Sequence, residues 1–475
     1  MNFNLIAIVP ELYLLLVIAV LFIFSLGSRD WEPPVEKWLP FAAGLGVLVT
    51  IISFWSPQGL MFYGVYKVDS MSLFFKGAIA FGFFVTVLNA TRNLTLDDDK
   101  RPDYYLLMAL SAFGLMIISS AVELITIYLA MELSSYCVYA MIPLRAHEKQ
   151  AAEAGIKYIM FGAVATAIAL YGFSYVLAAG HTSYLSELTQ VDWHFATNPM
   201  AVVGITMFMC GMFFKLALFP FHFWCPDLYQ GASNETTAFA ATLPKLGAIV
   251  VLIRLATLFE PGMEIMTIMA VLGGISMTYG NLAALAQTDV KRLLGFSSVA
   301  HAGYIMVGLV AGTAAGLSAA AFYALTYILM NLLCFWIVSR VAVEGRNLRL
   351  KDLNGLYKRS PGLAFSLAVG AFALVGLPPT MGFMGKFFLI TAAWNNGYNW
   401  LVILLAANSA IAIYYYLNMV RHAYTHEEVE DMPLPDNSPF SVAGAGLLAA
   451  VVFLFGVIPG PVFNVAIQAG KAIMP

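Results

Sequence analysis

Six basic residues, Lys76, Lys157, Lys215, Lys245, Arg254 and Lys386, fall inside long apolar stretches of the chain. A charge at the centre of a bilayer costs about 2.5–3.5 kcal/mol on insertion scales, so each needs either a structural excuse or a function. Arg254 and Lys76 lie near the ends of their stretches, where a long side chain reaches the interface by snorkelling. Lys157 follows Glu153 by four residues, a spacing that forms a helical ion pair, and it suits a proton relay equally well. Lys215 in GMFFKLALFPFHFW, Lys245 in ATLPKLGAIVV and Lys386 in GLPPTMGFMGKFF have no such excuse, and all three sit beside proline. Their acidic counterpart is Glu132 in YLAMELSSYCVYAM. Glu123, nine residues earlier, points to the opposite helix face and is placed to reach headgroups. Glu132 is therefore expected to find a lysine on a neighbouring helix. Pairing keeps both groups charged and separation drives each toward neutrality, which is a proton switch. His222 and His301 extend the series. A lone histidine on an apolar face is often a satisfied core residue, but it is also the easiest group to protonate reversibly.

The elements that position these groups follow from composition. Hydrophobic residues make up 61% of the 475-residue chain and charged residues 11%, about half the charged fraction of a soluble domain. The expected fold is an all-α polytopic membrane protein. The net charge of −3 and the absence of a basic run argue against a nucleic-acid partner. Cys137, Cys210, Cys225 and Cys334 are widely spaced, with no C-x-x-C pair, which disfavours iron–sulfur and structural zinc sites. No phosphate-binding glycine motif follows a strand. The N-terminus lacks a basic n-region and a small-residue cleavage site, and it reads as a first spanning helix rather than a signal peptide.

A ruler of about 20 apolar residues places spans near 4–27, 38–56, 70–90, 103–120, 121–144, 152–179, 200–224, 236–259, 262–286, 293–312, 315–339, 360–395, 400–420 and 440–460, fourteen in all. The twelfth is too long for one crossing and contains GLPPTMGFMGK, so it is expected to be broken. Loops opposite the termini then hold 16 Lys and Arg residues against two, Lys67 and Lys471, on the terminal side. The positive-inside rule puts the basic loops in the cytoplasm and both termini on the periplasmic side.

Two stretches echo each other. G-x-x-x-K occurs at Gly211 and Lys215 beside Pro220, and again at Gly382 and Lys386 beside Pro378 and Pro379. Proline follows the lysine in one and precedes it in the other. They lie in spans seven and twelve, five apart, and so enter the membrane from opposite sides. An inverted repeat of five helices with helices broken at midplane predicts this arrangement. Broken helices need polar lining, for which the Ser, Thr and Asn of QGASNETT are candidates.

At these residues the chain resembles the antiporter-like membrane subunits of respiratory complex I (NADH:quinone oxidoreductase), most closely the N type. The matching segments are AMELSSY around Glu132, GMFFKLALFPFHFWCPDLYQGAS around Lys215, NLAALAQTDVKRLLGFSSVAHAGY over 281–304, and LVGLPPTMGFMGKF around Lys386. The resemblance implies N-terminal helices 1–3 over 1–102, a first inverted repeat (helices 4–8) over 103–259, a second (helices 9–13) over 260–424, and helix 14 within 425–475. It implies that Glu132, Lys215, Lys245 and Lys386 transfer protons, with Lys157, His222 and His301 as possible relays. It also implies a chain without a cofactor or redox centre of its own. The partners implied are adjacent antiporter-like and small membrane subunits, lipid, protons and the quinone used by the complex, in a bacterial inner membrane. The tail after Arg421 is expected to meet a neighbouring subunit. A cation/proton antiporter subunit and the membrane arm of a hydrogenase share these motifs. A pure scaffold is disfavoured, because lysines buried in three separate helices cost stability without structural gain.

Overall fold

Apolar runs punctuated by caps and prolines become helices. The computed structural model describes residues 5–27, 35–91, 95–145, 149–394, 396–425 and 434–474. Its helices are α1 (Val9–Ser25), α2 (Val35–Ile52), α3 (Ser70–Ala90), α4 (Arg101–Ser120), α5 (Leu124–Met141), α6 (Lys149–Gly180), the short α7 (Leu185–Leu188), α8 (Pro199–Leu216), α9 (Trp224–Gly231) and α10 (Asn234–Ala256). They continue with α11 (Glu264–Leu285), α12 (Val290–Val310), α13 (Ala314–Val341), the short α14 (Leu356–Arg359), α15 (Pro361–Val375), α16 (Met381–Ala393), α17 (Asn399–Ala423), α18 (Pro439–Val457) and α19 (Gly460–Ile473). One two-stranded antiparallel hairpin, β1 (Gly59–Met61) with β2 (Tyr66–Val68), pairs Gly59 with Val68 and Leu60 with Lys67.

Starts are fixed by local chemistry. Asp69 and Ser72 form a capping box on α3, while Ser233, Asp289 and Thr313 cap α10, α12 and α13. Glu123, expected to reach headgroups, instead caps α5: it is buried and accepts from the Thr126 amide at 2.7 Å. Thirteen helical stretches among the described residues are long and apolar enough to span a membrane. The pair α15 and α16, each too short alone, supplies one more, giving the fourteen crossings expected. The chain is a multi-pass membrane protein. Phe41, Leu16, Met160 and Val164 point apolar side chains outward from α1, α2 and α6, as a lipid-facing surface requires. At the centre, α10 and α12 are buried along their whole spans.

Both expected breaks are present. After α8 the chain turns at Ala217 in the left-handed region (φ 61°) and passes a cis Phe219–Pro220 bond before α9 begins. After α15, Gly376 (φ 86°) and a cis Pro378–Pro379 bond precede α16. The backbone freed at the first break is met by protein groups: the Phe219 amide donates to Ser276 Oγ at 2.9 Å and Trp224 Nε1 donates to the Phe214 carbonyl at 2.9 Å. The QGASNETT hydroxyls instead shape the start of α10, where Ser233 Oγ receives the Thr236 amide and Thr237 bonds the Ser233 and Tyr229 carbonyls.

The last helix is an addition to the expected fold. α19 follows α18 directly and packs on α3 and α13. Phe463 stacks on Phe388 of α16 at 3.6 Å between ring centres. A Cβ at Gly470 would come 2.1 Å from Ser318 Oγ, so glycine permits this close approach. Part of the tail expected to meet a neighbour, residues 426–433, lies outside the described residues.

Candidate functional site: a row of buried ionisable groups

Lys215 occupies the last turn of α8, immediately before the break. It is buried, and its Nζ has no hydrogen-bond partner among the described residues. Instead it sits over the rings of Tyr139, Tyr158 and Phe214, 5.4, 5.6 and 5.8 Å from their centres, a cation–π cage. Glu132, on α5, accepts from Thr166 of α6 at 3.0 Å. Its charge acts on Lys215, but the two form no ion pair within 4.0 Å. The expected ion pair is thus not formed in this structure.

Lys245 follows Pro244 inside α10. Its ammonium donates to Ser298 Oγ on α12 in a short contact. Ser298 also meets the Tyr229 hydroxyl at 3.2 Å and the Tyr327 hydroxyl at 2.7 Å, and Tyr327 donates to the Ala241 carbonyl at 3.1 Å. With Lys245 and Tyr229 donating to it, Ser298 directs its own proton to Tyr327, so the string has a definite polarity.

His301, one turn further along α12, bonds the Tyr323 hydroxyl through Nδ1 at 2.7 Å and approaches the Tyr416 hydroxyl through Nε2 at 3.4 Å. Its ring lies 5.5 Å from that of Tyr327 and 5.3 Å from that of Tyr304. Lys386, on α16, donates to the Val375 carbonyl at 2.8 Å and to Ser409 Oγ at 3.0 Å, and sits 4.5 Å from the Tyr304 ring centre. It therefore satisfies a carbonyl released where α15 ends. Lys245, Ser298 and Tyr327 are joined by hydrogen bonds, while ring contacts lead from Tyr327 to His301 and Tyr304, and Lys386 lies over the Tyr304 ring. A proton can pass along the hydrogen-bonded string from Lys245 to Tyr327, and His301 and Lys386 are ionisable groups enclosed beside it. The Tyr158 ring that Lys215 faces packs against Trp224, 4.6 Å between ring centres.

The remaining expected relays stand elsewhere. Lys157 is half-exposed and held by Glu153 (2.7 Å) and Asp227 (3.0 Å). His222 follows Lys215 by seven residues, across the break: its ring packs against Phe223 and Tyr279, and neither nitrogen has a hydrogen-bond partner among the described residues. With Lys157, Asp227 and Arg292 it lines a lateral pocket of about 560 Å³. The two G-x-x-x-K lysines also differ in placement, Lys215 ending the half-helix before its break and Lys386 lying within the half after its break.

Two basic residues expected to snorkel do not. Arg254 is 4% exposed and makes a bidentate pair with Asp69, both contacts 2.9 Å, tying α10 to the head of α3. Lys76 is fully buried and pairs with Glu11 of α1 at 2.6 Å, beside the Tyr66 hydroxyl, which donates to the same carboxylate oxygen at 2.5 Å. Asp69 and Glu11 hold the two cations inside, although Arg254 also lines a pocket with Lys67 and Glu187. Glu132 is accordingly not alone among carboxylates enclosed by the spans. Glu11, within the first apolar stretch, was the available signal. Lys291, assigned to a loop, is also fully buried, on the first turn of α12. Among the described residues no group of three or more His, Cys, Asp and Glu side chains is arranged to hold a metal.

Fourteen crossings, two of them broken, around a buried row of lysines and a histidine define a membrane protein equipped to move protons. The chain belongs to the NADH:quinone oxidoreductase/Mrp antiporter transmembrane family, whose pattern matches residues 121–412. It is 57% identical to "NADH-quinone oxidoreductase subunit N 2" of Solidesulfovibrio magneticus over 99% of both chains. It is 42% identical to the protein of the same name from Opitutus terrae, covering 96% of this chain and 95% of that one. Among solved structures, a chain of respiratory complex I from Thermus thermophilus superposes with a TM-score of 0.83 at 30% identity, over 96% of this chain and 98% of that one. A chain of the Mrp complex from Dietzia shares the fold at 18% identity, with a TM-score of 0.86 over 99% of this chain and all of that one.

Proposed function

We propose that this chain is the N-type proton-translocating membrane subunit of an NADH:quinone oxidoreductase, in a bacterial inner membrane with both termini periplasmic. Electron transfer in other subunits supplies the energy, and this chain, holding no redox centre, moves protons. The observation that carries the reading is the enclosed row from Lys245 through Ser298, Tyr327, His301 and Tyr304 to Lys386. Lys215 is the switch at its edge and Glu132 the carboxylate whose charge state biases that switch. Lys245 and Lys386 carry protons within the row, with His301 relaying between them. Lys157 and His222 lie off the row and are assigned to the lateral pocket. The inverted repeats over 103–259 and 260–424 give each half one broken helix and one of the lysines beside it. Moving one charge against 100 mV costs about 2.3 kcal/mol. A lysine whose environment alternates by about two pKa units covers that cost, at about 1.36 kcal/mol per unit.

Purification of the intact assembly and proton-pumping assays with Lys215→Ala and Glu132→Ala test the reading. Flavin and iron–sulfur subunits should accompany the chain, and each variant should lower the protons moved per electron pair. Sodium–proton exchange by a complex without redox subunits, or undiminished pumping by both variants, contradicts it.

A further inference from the structure

The end of the molecule that bears the basic loops holds a second charged cluster, off the row. Glu235 stands in the first turn of α10 and is only 5% exposed. Lys291 and Arg340 are the cations whose fields act on it, the first from the opening turn of α12 and the second from the last turn of α13. Just ahead of α10, Arg145 donates to the Gly231 and Ala232 carbonyls at 2.9 and 3.1 Å, and Lys291 donates to the Ala232 carbonyl at 2.7 Å. Asn347 ties the loop after α13 to the same turn, donating to the Gln230 carbonyl at 2.7 Å. Asn234, beside Glu235, is buried, and neither its amide nitrogen nor its oxygen has a partner among the described residues. Ser233 caps α10, and the Glu235 carboxylate also bonds its own backbone amide and the Ser233 side chain in that turn. A buried charge kept for the fold alone is generally replaceable by apolar packing.

Register places this cluster in line with Lys245. As the eighth and tenth crossings, α10 and α12 run in the same direction, both starting on the basic side. Glu235 and Lys245 are ten residues apart on α10, a rise of about 15 Å. Lys291 and Ser298 are seven apart on α12, two turns, and share a face. Glu235 and Lys291 thus stand near the mouth and Lys245 with Ser298 deeper in, with Glu235 and Lys245 about 80° apart around α10. Hydroxyls flank the first turn of α10 and the Lys245 site. Thr236 bonds Tyr104 at 3.3 Å, Thr237 bonds the Tyr229 carbonyl at 3.2 Å, and the Tyr229 hydroxyl reaches Ser298.

We propose that Glu235, poised by Lys291, takes up protons from the basic-loop side and delivers them to Lys245. Uptake converts the carboxylate to the carboxylic acid. Delivery returns the carboxylate as the neutral Lys245 amine becomes an ammonium, and no other reactant is consumed. The inference rests on the proposed proton-translocating function and adds its entry residue.

The test uses the whole assembly in membrane vesicles, with assembly verified by native electrophoresis. Glu235→Gln should remove this subunit's share of protons per electron pair, while Glu235→Asp retains most of it. The redox-driven infrared difference spectrum of the native protein should contain a protonated-carboxyl band that Glu235→Gln abolishes and Glu235→Asp shifts. A merely structural carboxylate predicts native pumping and an unchanged spectrum in Glu235→Gln, and that outcome overturns the proposal. If Glu235→Gln does not assemble, an unshifted band in Glu235→Asp overturns it equally. Lys245→Met is measured in parallel: native pumping there refutes the proposed function itself, whereas loss there with native pumping in Glu235→Gln refutes only the entry residue.

Discussion

Replacing Asp69 by asparagine isolates the charge of the Arg254–Asp69 pair, because asparagine caps a helix as well as aspartate does and can preserve the Ser72 contact on α3. The guanidinium and carboxylate approach to 2.9 Å at two points with side chains about 4% and 5% exposed. At an effective dielectric constant of about 20 their attraction is about 6 kcal/mol, opposed by several kcal/mol of desolvation. Removing one partner of such a pair costs about 3–5 kcal/mol, since the other remains buried and uncompensated. Arg254 would keep the Ser119 carbonyl at 3.0 Å and a neutral amide oxygen in place of the carboxylate. The double variant Asp69→Asn/Arg254→Met should recover most of the loss, with a coupling energy of about 2–3 kcal/mol. Thermal melts of the detergent-solubilised assembly, followed by size-exclusion recovery, read the effect. Asp69→Asn within about 0.5 kcal/mol of native, or a double variant no better than the single, refutes the claim that the pair is enclosed and coupled.

The same pair sets a pH response. Burial alone would raise the Asp69 pKa, but the adjacent Arg254 guanidinium and the Ser72 amide hold it below the ordinary value of 3.8. A depressed folded-state value means the stabilisation is complete above the ordinary carboxylate range and is lost as pH falls through the folded value. Native protein should therefore lose stability below about pH 4, and the double variant should lack that component in a pH series of melts. Glu11→Gln should destabilise by about 3 kcal/mol by stranding Lys76, with recovery in Glu11→Gln/Lys76→Met on the same melts. Gly382→Ala should impair proton translocation without touching a charge. Its Cβ would lie 1.8 Å from the Ala373 carbonyl oxygen and force apart the two halves that position Lys386, whereas Gly446→Ala meets nothing within 4 Å and should pump normally.

Periodicity and apolar length revealed the crossings, and proline beside lysine revealed both breaks, because these are local properties of the chain. Lys245 was legible because no helix end lay near enough to release it, and Lys386 because it stands beside a proline break. What escaped depended on which helices lie side by side. Arg254 and Lys76 looked able to snorkel, because nothing local says that Asp69 and Glu11 close over them. Lys291 fell at a loop boundary, yet burial by α10 makes it an interior cation. The neighbours of His222 could not be read either, because the turn at Ala217 and the bond before Pro220 set its direction relative to Lys215. The tyrosines of the row gave no sequence signal, since Tyr304, Tyr323 and Tyr327 read equally well as core aromatics. The amphipathic α19 was hidden behind the apolar run of α18.

The number of protons translocated per electron pair, measured with Lys386→Met in the intact assembly in vesicles, addresses the central claim most directly. Methionine preserves the bulk and packing over Tyr304 while removing the ammonium that binds the Val375 carbonyl and Ser409. Transport through the Lys245–Lys386 row predicts a lowered ratio with the assembly intact. A ratio equal to that of the native protein contradicts it.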